Sequence, residues 1–188
     1  MAIEDRVDRG FRSLMEKDYE SALIAASIAV DATAKRERRN LSNNKAYKAF
    51  IKSNMAIITR FSTGFLTVHG DFRMKWANPD MRPDADGYIH LEQILYHAVR
   101  CGLVHEAELP PTLIVTEENR IGVNEAGQMV LPSTIVVGLL VAVIASPRNK
   151  NCDSMMQWTV DWGEDPIVVT DYWGKKLKLL KEMESPIG

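Results

Sequence analysis

The residues in this sequence best suited by type and spacing to chemistry on a phosphate are Arg100 and His105, in the run Arg100-Cys101-Gly102-Leu103-Val104-His105. Arginine offers a planar, permanently charged fork for phosphate oxygens, and histidine, with an ordinary pKa near ~6.5, exchanges a proton at neutral pH. Together they suffice for metal-free RNA cleavage, in which the ribose 2′-hydroxyl is the internal nucleophile. Each also has a plainer reading: Arg100 as a solvated cation at a helix C-terminus, His105 as a loop-packing residue.

The elements around the pair decide whether it can converge. Residues 88–101 are expected to form a helix with Tyr88, Leu91, Leu95 and Ala98 on its apolar stripe, so Arg100, about 180° from Leu91, points off the local core. On an uninterrupted α-helix His105 would stand roughly 140° from Arg100. Gly102 is expected to follow the last turn in a left-handed conformation, stop the helix and let the chain swing His105 back. Asp31 lies between Val30 and Ala32 in an apolar stretch, where a carboxylate needs solvent or a cationic partner. One role open to it is to orient Arg100.

His97, Cys101 and His105, four apart, would make a crude metal comb on an unbroken helix, but Gly102 argues against that, and neither metal nor cofactor is expected. His69 and His90 have no partner at ligand spacing and read as surface residues. The basic run 35–39 reads as a helix-end face complementing the dipole, and Trp76, Trp158, Trp162 and Trp173 read as core or hairpin packing.

With 23 basic against 25 acidic residues the net charge is −2, so no global positive field draws the chain to polyanions, and any such contact must be local. The cysteines Cys101 and Cys152 form no CxxC pair, and the charged N-terminus has no signal-type apolar region; a cytoplasmic protein is expected. The most apolar run, 135–145, is far short of the roughly 20 residues that cross a bilayer and is expected to be a core helix, so no membrane partner is foreseen.

The rest of the chain reads as a mainly α protein, a helical bundle of five to six helices with a small β-hairpin insertion, in one domain over 1–188. Helices are expected at 3–15, at 19–38 with Asp18 as N-cap, at about 47–61, at 88–101, at 135–145, and last after Asp171 with Trp173, Leu177, Leu180 and Met183 facing inward. Alanines 22, 25, 26, 29 and 32 let a neighbour approach the second helix closely. A loop insertion is expected at about 62–87, with a short strand at 65–68. Short β-prone runs at 112–116, 120–124 and 128–131, with a turn at 125–127, are expected to make a β-hairpin insertion over about 112–131, and a strand is expected at 156–160.

The Arg-x4-His run after a long, alanine-rich helical pair resembles the HEPN family of helical-bundle domains, whose mark is Arg-x4-6-His. The resemblance takes in residues 18–38, similar to the family's early helix, and more loosely the helical order from 3 to 144. It implies a homodimer whose two Arg/His pairs face each other across a cleft, acting as a metal-independent endoribonuclease in a defence or toxin system, with RNA or a protein such as an antitoxin as partner. Arg100 matches the motif arginine and His105 the motif histidine. Many active members carry a polar residue directly after the arginine, often asparagine, where this chain has Cys101. The same fold equally implies a non-catalytic RNA- or protein-binding dimerisation module.

Overall fold

The computed structural model describes residues 2–106, 108–162 and 165–184; within these spans the side chains of Ala98, Val104, His105, Glu106, Trp162 and Asp165 lie outside the description. About half the chain is helical, with seven α-helices among the described residues and three small sheets. Amphipathic spacing produces α1 (Ile3–Met15), which buries Ile3, Val7 and Phe11. A turn with Lys17 at φ 59° leads to α2 (Tyr19–Glu37), capped where the Asp18 carboxylate accepts the Ser21 N–H at 3.1 Å. Buried Ala22, Ala25, Ala26 and Ala29 let α1 lie close along α2.

The helix expected over 47–61 is two helices, α3 (Asn43–Ser53) and α4 (Met55–Thr63). The break falls at Asn54, which leaves the helical region at φ −118°, ψ 14°; its N–H is shared between the Phe50 and Ile51 carbonyls, and its side-chain amide adds a bond to the Phe50 carbonyl at 2.8 Å. The core closes on α6 (Ile135–Ala145), all of whose residues are buried, as its apolar character on every side demands. Small residues set its neighbours' distance. A Cβ on Gly138 would lie 2.4 Å from the Ile58 carbonyl of α4, and one on Gly10 2.9 Å from Leu140. Among the described residues no helix is long and apolar enough to cross a membrane.

The β structure departs from expectation. Residues 65–68 form no strand; instead β1 (Arg73–Met74) pairs antiparallel with β2 (Ile89–His90), pinning the 62–87 insertion against the start of the next helix. All three β-prone runs of the 112–131 segment form strands, but in a mixed sheet rather than a hairpin alone. Here β4 (Gly122–Val123) and β5 (Met129–Pro132) form the expected antiparallel pair, joined through a turn with Gly127 at φ 78°. In addition β3 (Leu113–Thr116) lies parallel to β5 on its other edge. A hairpin connection cannot make that pairing, and burial drives it: Leu113, Met129 and Leu131 all join the core. A further hairpin joins β6 (Thr159–Trp162) to β7 (Asp165–Val168).

The C-terminal helix also starts later than expected. Val169–Tyr172 is a 3-10 turn, and α7 (Lys176–Glu184) follows Gly174, which sits at φ 72° against Lys150. With Trp173 outside the helix the inward stripe is Leu179, Leu180 and Met183, and Leu177, expected to face inward, is 77% exposed.

Candidate functional site

Helix α5 (Leu91–Ile94) passes without a break into a twelve-residue π-helical segment, Leu95–Glu106. This overturns the expected helix stop: Gly102 lies inside the segment and is not left-handed. Its missing side chain serves a close approach instead. A Cβ there would meet the Glu108 carbonyl oxygen at 2.7 Å, and the Glu108 N–H reaches back to the Gly102 carbonyl at 3.4 Å. The wider winding changes the spacing as well. A π-helix bonds i to i+5, so backbone positions 100 and 105 stand one turn apart on one face, without any reversal of the chain. The side chain of His105 lies outside the described residues.

Arg100 is tied across to α2. Its Nε and Nη2 both donate to Oδ2 of Asp31, at 3.2 and 2.8 Å, with the two side chains 15% and 25% exposed. Of the two environments open to Asp31, the structure provides the cationic partner. Burial alone would lower the Arg100 pKa, but the hydrogen bond and charge of Asp31 outweigh it and hold it above the ordinary arginine value. The guanidinium also lies over the Tyr96 ring, 5.5 Å from its centroid, and Tyr96 meets the buried Tyr47 edge-on at 5.4 Å. Burial raises both phenols above the usual tyrosine range.

Three residues before Arg100, His97 meets Lys48 of α3, with Nζ 3.0 Å from Nε2. Burial, then the Lys48 charge, lower the His97 pKa; burial likewise lowers that of Lys48. The neutral imidazole therefore accepts at Nε2 and carries its proton on Nδ1. His97, Cys101 and Gly102 line a cleft of about 280 Å³ together with Asn78 and Asp80. The region thus holds a fixed guanidinium, an ammonium, a neutral imidazole and a neighbouring cleft. Such a set can hold an anion and move a proton. Sequence reasoning missed the Lys48–His97 pair because Lys48 is unremarkable on its own helix.

His90, expected at the surface, is half-buried beside Asp84 and Glu92, whereas His69 is exposed as expected. Of the tryptophans, Trp76, Trp158 and Trp173 are core residues; Trp158 stacks on Phe11 and donates to Asp8 at 2.7 Å. The run 35–39 is helix-end in part: Lys35 caps the Leu41 carbonyl, while Arg36 reaches Asn149 at 3.1 Å.

The chain is about half helical with small sheets, and the Asp31–Arg100 pair ties its π-helical segment to α2. The chain belongs to the Rv1289 family, whose model matches residues 2–185. Similar proteins include the uncharacterized protein Rv1289 of Mycobacterium tuberculosis (strain H37Rv) and the uncharacterized protein Mb1320 of Mycobacterium bovis. Each is 23% identical over 188 residues, covering 93% of this chain and 84% of the relative. No solved structure matches.

Proposed function

We propose that this protein is a HEPN-like, metal-independent endoribonuclease that works as a homodimer, with Arg100 anchoring the scissile phosphate, Asp31 orienting Arg100, and His105 as general acid or base. The observation that carries this reading is the Asp31–Arg100 pair. A guanidinium held by two bonds to one carboxylate oxygen has a fixed direction, which is what transition-state stabilisation requires. The π winding supports it by bringing position 105 one turn above position 100. In the reaction a general base takes the 2′-hydroxyl proton as O2′ bonds to phosphorus. The 5′-oxygen leaves with a proton from a general acid, yielding a 2′,3′-cyclic phosphate and a 5′-hydroxyl. Facing copies of the pair across a two-fold axis supply acid and base together.

The test is cleavage of single-stranded RNA in EDTA by wild type, Arg100→Ala and His105→Ala, with circular dichroism confirming each fold. Wild type cleaves, and each variant loses about 100-fold or more in rate. Equal rates for wild type and His105→Ala would rule the chemistry out. A second reading is favoured by one observation: Arg100 is only 15% exposed and its charge is balanced by Asp31, as in a structural ion pair. On that reading the protein is a non-catalytic RNA- or protein-binding module. Wild type that binds a varied RNA panel, or a partner protein such as an antitoxin, without cutting RNA identifies it.

A further inference from the structure

We propose that Asp71, His90 and Glu92 form a binding site for a divalent first-row transition-metal ion, separate from the Arg100 region and independent of the ribonuclease reading. Each residue brings one ligand atom within 4.8 Å of the others. Sequence spacing hides the group, because Asp71 belongs to the 62–87 insertion and the other two to the start of the following helix. Strand pairing assembles it. Arg73 is in register with His90, and the Leu91 N–H bonds to the Phe72 carbonyl at 2.9 Å, which sets residue 71 beside residues 90 and 92.

A second observation points to a ligand. Glu92 is only 8% exposed, yet among the described residues its Oε2 has no hydrogen-bond partner, and neither does the buried His90 Nδ1, which faces Glu92 Oε1 at 3.9 Å. Buried polar atoms are nearly always satisfied, and a buried carboxylate without a partner is costly. One cation would satisfy both. The opposite ring nitrogen, Nε2, faces Asp84 at 3.5 Å. Asp84 is itself held by Arg73 at 2.8 Å and by the backbone N–H groups of Asp86 and Tyr88. A carboxylate behind the ring is the outer-shell arrangement that fixes the tautomer of a metal-bound histidine.

The donor set selects the ion. Two carboxylates balance a 2+ charge, and the imidazole favours Zn²⁺ over the hard, oxygen-preferring Ca²⁺ and Mg²⁺, with Mn²⁺ admitted more weakly through the carboxylates. Atoms up to 4.8 Å apart lie at most about 2.8 Å from a common centre, so bonds of about 2.1 Å need each to move inward by at most about 0.7 Å towards an ion in their plane, within side-chain adjustment. Lys52, 2.5 Å from Asp71 Oδ1, competes for that carboxylate and tunes the affinity downward. Three protein ligands leave a coordination position for water. The bound ion ties the long insertion to α5.

The experiment uses the full chain stripped with EDTA, titrated with Zn²⁺ and Mn²⁺ by calorimetry and melted with and without each ion. One ion binds per chain and raises Tm. Glu92→Gln and His90→Gln each abolish the binding and the rise, and Asp84→Asn weakens binding about 10-fold. Without metal, Glu92→Gln melts no lower than wild type, which keeps the test valid against a folding defect. Co²⁺ substitution shows no thiolate charge-transfer band, because neither cysteine is a ligand. Binding that survives Glu92→Gln and His90→Gln, a thiolate band, or no binding by wild type overturns the proposal. RNA cleavage in EDTA is a separate readout, so the two readings fail independently.

Discussion

Removing Asp31 isolates what it does for Arg100. An exposed ion pair contributes about 0.2–1 kcal/mol, whereas breaking a buried one costs about 3–5 kcal/mol because the surviving charge is stranded. With Asp31 and Arg100 at 25% and 15% exposure and two hydrogen bonds between them, the pair falls between these limits. Asp31→Ala is therefore expected to cost about 2 kcal/mol. For 188 residues the unfolding entropy is about 0.4 kcal/mol/K, so Tm falls by about 5 °C. Arg100→Ala strands the carboxylate in turn, but the double variant strands neither. Urea unfolding of all four proteins should give a coupling energy of about 1–1.5 kcal/mol. Single-variant costs that simply add, to within ~0.3 kcal/mol, would show that the two side chains do not act as a unit and would remove the orienting role from Asp31.

Gly138→Ala should destabilise the fold by about 3 kcal/mol despite the better helix propensity of alanine, since the new Cβ would sit 2.4 Å from the Ile58 carbonyl and 2.5 Å from Ser62 Oγ. A melt at or above the wild-type temperature would refute the close approach of α4 and α6. His97, its pKa lowered by burial and by Lys48, contributes stability that is present above its unfolded pKa of ~6.5 and lost as pH falls through the folded value. Its imidazole NMR titration should have a midpoint below ~6.5, and Lys48→Met should move it upward; a wild-type midpoint at or above ~6.5 would sink the assignment.

Much of the helical frame was legible in the sequence. The apolar period of 3–15 and the unbroken apolar run of 135–145 yield α1 and α6 with their bounds, and Asp18 marks the start of α2. These signals are local. Two features that could not be read depend on distant partners, the parallel pairing of β3 with β5 and the strand pairing that brings Asp71 to His90; the helix break at Asn54 is local but lies inside an apolar spacing that runs on through it. At the candidate site the residue types point to Asp31 and Arg100, but their placement does not follow from 100° per residue. The chain around Gly102 winds as a π-helix, and no spacing rule for α-helices anticipates that.

The sandwiching of α6 against α4 sets a timetable for the nascent chain. Ser62 and Thr134, bonded to each other in the finished protein, are 72 positions apart. At ~5–20 residues per second the ribosome needs about 4–14 s to deliver the second after the first. Through that interval α1 and α2 can already zip together as neighbours, while the face of α4 that will receive Gly138 stays wet and sticky. A chaperone that shields apolar helix surface for several seconds would raise the yield of this chain, and rapid dilution from denaturant without one would favour aggregates seeded by α4 and α6.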